Sequence, residues 1–155
     1  MKRAITGLVL ALVGLCLTVL TLRADVEKDR QVHANMVGTW RMATMKINGK
    51  ENDLPQDSIT YKHITPVGFV WLSFEKKTGK VFRSAGGTWT LKGDVYTEKI
   101  EYGVGGDFDV VNQTSPSFTL KLVGDKWSHT GDLANGTHLE EVWERVKPAE
   151  QEKAK

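Results

Sequence analysis

Four histidines, His33, His63, His129 and His138, are the side chains of this 155-residue chain best suited to move protons or hold a metal near neutral pH. No two of them stand at the close helical or hairpin spacing of a metal site. The single cysteine is Cys16, so a zinc centre would need histidines and carboxylates gathered from separate elements; neither a metal site nor a cofactor is expected. His129, in "KWSHTG", has the more informative surroundings. In an extended chain alternate side chains share a face, which groups His129 with Trp127 and, one strand later, Glu141 with Leu139, Trp143 and Arg145. An imidazole–carboxylate contact of His129 with Glu141, or with Glu98, could serve general acid–base chemistry if a substrate reached it. The alternative is a hydrogen-bonded histidine in a buried polar network. His138 falls with Glu140 and Glu144, the pattern of a solvated face.

A second group of chemically able residues surrounds Arg83. It lies in "VFRSAGG", just before two glycines that let a strand kink or another backbone approach closely. An arginine inside a sheet-lined core must be paired, with Glu98 or with the carboxylate or phosphate of a ligand; otherwise Arg83 is a surface residue. In "VYTEKIEYG" strict alternation puts Tyr96, Glu98, Ile100 and Tyr102 on one face, which by its apolar content is the inner one. Trp71, Tyr96, Tyr102 and Trp127 are core aromatics or rigid pocket walls with a polar tip. Together with Arg83, Glu98, His129 and Glu141 they describe a cavity suited to a small amphipathic or aromatic molecule.

Positioning these side chains requires strands. From residue 37 onward the chain is a succession of short extended runs, near 38–47, 58–64, 68–75, 80–84, 87–92, 95–102, 117–123, 126–131 and 137–146, with no long helical period. The punctuation is glycine-based: Asn48-Gly49, "KKTGK" at 76–80, Lys92-Gly93-Asp94, Gly124-Asp125 and "ANG" at 134–136 each supply a residue tolerant of positive φ. Pro66 in "ITPVG" cannot donate to a ladder and marks a turn or an edge. So many hairpin-linked strands hide their edges best by closing into an antiparallel up-and-down barrel; a sandwich of two sheets is the alternative.

The ends of the chain read differently. Lys2 and Arg3 precede the uncharged run 4–22, and Ala24 follows as a small residue, so residues 1–24 are expected to be a signal peptide or, if uncleaved, a membrane anchor. Residues 25–36 read as a polar connector and 148–155 as a frayed charged tail, leaving 37–147 as a single domain. Of the 21 basic residues, Lys2, Arg3 and Arg23 belong to the leader, so 18 basic face 19 acidic residues in the rest. Such a balance argues against nucleic acid as a partner. "GVGGD" at 103–107 lacks the Lys-Ser/Thr and the helix of a phosphate loop.

Gly38-Thr39-Trp40 at the head of the first strand and Trp143-Glu144-Arg145 at the end of the last resemble the lipocalin-like (calycin) proteins, and the stretches between resemble exported bacterial members of that group. The resemblance implies a lipocalin-like barrel of eight to ten strands closed where Arg145 stacks over Trp40, a contact worth about 0.5–2 kcal/mol. It implies an exported, periplasmic or secreted protein that binds a small molecule in its interior, with Trp71, Arg83, Tyr96, Glu98, Tyr102, Trp127 and His129 as candidate ligand residues and none catalytic. A lipocalin-like enzyme using His129 and a carboxylate, or an interaction module with a filled barrel, are the alternatives. A membrane partner enters only through residues 4–22.

Overall fold

A computed structural model describes residues 27, 30–105 and 114–147. The expected leader and tail lie outside these residues. The helical residues 30–36, here α1, precede nine strands: β1 (Gly38–Ile47), β2 (Lys50–Glu51), β3 (Ser58–Ile64), β4 (Phe69–Glu75), β5 (Val81–Lys92), β6 (Val95–Val104), β7 (Ser117–Val123), β8 (Lys126–Asp132) and β9 (His138–Arg145). The two runs expected at 80–84 and 87–92 are one strand, because Gly86 and Gly87 bend it without breaking its ladder.

All strand pairs are antiparallel, and β1 pairs with β3 on one side and with β9 on the other. That last pairing closes eight strands into a barrel, with β2 added to the end of β1, and rules out a two-sheet sandwich. The hairpins turn where positive φ is cheap, at Asn48 (52°) with Gly49 (76°), and at Gly79, Gly93, Gly124 and Gly136.

Two bulges decide which side chains look inward. Between Met42 and Thr44 the β1–β9 register shifts by one residue, so Trp40 and Met42 and then Met45 and Ile47 face the interior. On β6, Gly86 opposes Tyr102 while Gly87 opposes Ile100, leaving Glu101 as the extra residue. Tyr102 therefore leaves the inner face that strict alternation assigns to it: its side chain lies over Gly86 on the outer surface, and the residue is 54% exposed. A side chain at Gly86 would collide with the Tyr102 ring.

One end of the barrel is packed shut. Trp40 and Trp127 are enclosed together with Tyr96 and Met36. Trp40 meets Trp127 edge-on at 5.6 Å between ring centroids, and Trp127 meets Tyr96 edge-on at 5.3 Å. The α1 segment, expected as polar connector, caps this end: Met36 is fully buried, and His33 stacks on Trp89 at 4.2 Å. The closure expected from the chain termini is present. The Arg145 guanidinium lies 4.1 Å over the Trp40 ring, donates to the carbonyls of Val37 (3.0 Å) and Asn35, and Trp40 Nε1 donates to Met36 O at 2.8 Å. Gly38, whose φ is +144°, leaves the space the guanidinium fills.

Candidate functional site

At the opposite end, where β1 finishes and β9 begins, the interior is hollow. A cavity of about 310 Å³ lies between the strands, with the exposed Asn52 and Asn135 at its mouth. Its wall is apolar at Met42, Met45, Phe118, Leu139 and Trp143, and carries charge at Lys62, Arg83, Glu98 and Glu141. These are consecutive inward positions of their strands, so the alternation that builds the sheet also builds the wall.

Of the residues expected to line a pocket, the barrel brings Trp71, Arg83 and Glu98 to the cavity. Tyr96, Trp127 and His129 point inward but lie in the packed core. Tyr102 is outside, for the reason given above. Trp40 and Arg145 are at the closed end and do not line the cavity.

The pairings differ from those expected in one respect. Glu98 is not the partner of Arg83; its Oε1 accepts hydrogen bonds from Lys62 Nζ at 2.7 Å and from the Tyr96 hydroxyl at 2.8 Å. Arg83 Nε donates instead to Ser73 Oγ at 3.1 Å, and Ser73 is joined to Thr60 at 2.7 Å. Lys62 is the buried charge on the cavity wall that the sequence reading missed. It is 2% exposed, and its ammonium sits 4.8 Å from the Trp143 ring centroid and 5.1 Å from that of Trp127. A cation buried this far is tolerable because a carboxylate and the negative faces of two indoles replace its water. Period-two counting of "SITYKHI" does put Lys62 with Thr60 and Ile64, so the signal was present. Burial pushes the Tyr96 hydroxyl well above its ordinary value, and the charge and hydrogen bond of Glu98 push it the same way, so Tyr96 remains a donor.

The His129–Glu141 contact inside the barrel is present. His129 Nε2 lies 2.7 Å from Glu141 Oε2, which also accepts from Trp143 Nε1 at 3.1 Å. The imidazole has no exposed side-chain surface and is stacked 4.4 Å from Phe118, with Tyr96 and Trp127 around it. Its Nδ1 has no hydrogen-bond partner among the described residues. Nε2 is therefore the ring nitrogen that donates to Glu141, since a donor on Nδ1 would find no acceptor among the described residues. Burial acts to raise the Glu141 carboxyl; the hydrogen bond and charge of His129, the Lys62 charge and the Trp143 hydrogen bond oppose it and bring it down to about 2. Glu141, not His129, is the member of the pair that meets the cavity. On the outer surface His138 is held by Asp132 at 2.6 Å and Thr130 at 3.0 Å.

The family model for the lipocalin-like domain matches residues 36–120. Among solved structures, an uncharacterized protein from Bacteroides eggerthii is similar over 71% of this chain and 98% of its own, at 15% identity and a TM-score of 0.50. A lipocalin-like protein from Bacteroides uniformis is similar over 71% of this chain and 97% of its own, at 12% identity and a TM-score of 0.49. A redesigned β-barrel is similar over 74% of this chain and 95% of its own, at 19% identity and a TM-score of 0.48. No curated protein matches the chain.

Proposed function

Since the chain belongs to the lipocalin-like domain family, we propose that its barrel binds one small amphipathic or aromatic molecule in the interior. The observation that carries this reading is the hollow end itself. A volume of about 310 Å³ falls at the lower end of the ~300–1,000 Å³ typical of ligand pockets. Aromatic and aliphatic walls with a few converging charged groups are the composition such pockets use to hold and orient a ligand. A filled interaction module would have no use for this space. An enzyme built on His129 would need its imidazole to reach substrate, and the ring is walled off by Phe118, Tyr96 and Trp127. We further propose that the domain works outside the cytoplasm, on the strength of Lys2, Arg3 and the uncharged run that follows them.

The test is a fluorescence titration of purified protein with the neutral aromatic probe N-phenyl-1-naphthylamine. Saturable one-site enhancement is expected, and a Leu139→Trp variant, which fills the cavity from β9, should abolish it while the protein keeps its cooperative unfolding. Absence of binding, or equal binding by the filled variant, would overturn the reading.

A further inference from the structure

We propose that the cavity selects ligands carrying a protonated amine, with the ammonium held by the Glu141 carboxylate and the apolar body against Met42, Met45, Phe118, Leu139 and Trp143. The inference rests on the reading of the barrel as a binder and adds the charge of the ligand.

It follows from how the buried charges are distributed. Two carboxylates, Glu98 and Glu141, and one ammonium, Lys62, stand on the inner face at the base of the cavity. Lys62 is committed: it touches Glu98 at 2.7 Å and is boxed in by Trp127 and Trp143. Arg83 belongs to the layer nearer the mouth, where its Nε donates to Ser73 Oγ. Glu141, by contrast, lines the cavity with its carboxylate and stands beside the enclosed imidazole of His129.

The two oxygens of that carboxylate are unequal. Both hydrogen bonds go to Oε2, from His129 and from Trp143. Oε1 accepts none among the described residues, yet it is not one of the enclosed unsatisfied atoms, and the side chain keeps 12% of its surface accessible, while that of Glu98 keeps 4%. Since Glu141 lies on an inward position of β9 and lines the cavity, that accessible surface opens inward. An ionised oxygen facing a largely apolar space is costly unless something donates to it. An ammonium supplies the donor, and its charge makes the hydrogen bond to the carboxylate a charge-assisted one. Repulsion from Lys62 is limited, because Glu98 lies 2.7 Å from that ammonium and compensates its charge.

A matched series separates head-group charge from the apolar contribution: octylamine, octan-1-ol and octanoate, titrated calorimetrically at neutral pH into the wild-type protein and into Glu141→Gln. The wild type is expected to bind octylamine about tenfold or more tighter than octan-1-ol, since a charge-assisted hydrogen bond is worth about 1.5–3 kcal/mol. Glu141→Gln should lose that preference and leave octanol binding unchanged. Octanol or octanoate binding as tightly as octylamine would overturn the proposal, as would a preference that survives Glu141→Gln. The wild-type ratio decides alone if the variant does not fold. If N-phenyl-1-naphthylamine also fails to bind, the binder reading itself falls; if that probe binds and octylamine is not preferred, only the charge assignment falls.

Discussion

The two ends of this barrel are built from similar residues and do opposite things. At the closed end the indole of Trp40, the guanidinium of Arg145 and the carbonyls of Asn35, Val37 and Met36 satisfy one another, and α1 covers what remains. At the open end Trp71 and Trp143 are again present beside charged groups, but they line a cavity, and Glu141 faces it with one oxygen that accepts no hydrogen bond among the described residues. The buried Lys62–Glu98 pair stands between the two regimes. One meander can thus pack its interior at one end and leave a cavity at the other, because each strand contributes inward residues to both.

Substitutions that strike the closed end should hurt stability most. Trp40→Ala is expected to cost about 3–5 kcal/mol, read as a shift of the urea midpoint at constant slope. A loss below about 1 kcal/mol would mean that the closed end is not where stability resides. At the boundary, Lys62→Met strands Glu98 without its cation and should cost about 3 kcal/mol or more, whereas Lys62→Met combined with Glu98→Gln should recover much of that. Equal losses in the single and double variants would show that the pair is not coupled.

Acid offers a graded version of the same comparison. The Glu141 carboxyl titrates at about 2 in the folded chain against an ordinary 4.5, so the unfolded chain takes up the proton more readily. Its contribution is fully present above about pH 5 and is lost as pH falls toward 2, by an amount on the order of 3 kcal/mol. Denaturation midpoints at pH 6, 4 and 3 should show this slope, and Glu141→Gln should flatten it. Smallest of all is the effect expected at the mouth: Asn135→Ala should change stability by no more than about 0.5 kcal/mol.

Most of this architecture was legible in the residues. Glycine and Asn-Gly turns marked the hairpins because positive φ is costly elsewhere, and period-two counting put Trp71, Glu98, His129 and Glu141 on inner faces. The Trp40–Arg145 closure came from residue types at the two ends of the domain. What escaped has physical reasons. Tyr102 was misplaced because one extra residue, Glu101, inverts the face of everything after it, and a bulge leaves no mark on composition. The adjacent Gly86-Gly87 was the only hint. Lys62 was passed over because lysine is almost always at the surface, and only the three-dimensional box of indoles with Glu98 makes its burial affordable. The α1 cap was read as connector because its burial rests on few residues, chiefly Met36 and the stacked His33. The hollowness of the open end could not be read at all, since cavity volume depends on how eight strands fit together and not on any single strand.

The five tryptophans make the contrast between the two ends measurable in one experiment. Trp71 and Trp143 line the cavity, whereas Trp40, Trp89 and Trp127 belong to the packed end. Indole N–H resonances of ¹⁵N-labelled protein, followed by NMR during titration with N-phenyl-1-naphthylamine, should move for Trp71 and Trp143 and stay nearly fixed for Trp40. The largest shift at Trp40, or uniform shifts at all five, would contradict a barrel that is solid at one end and receptive at the other.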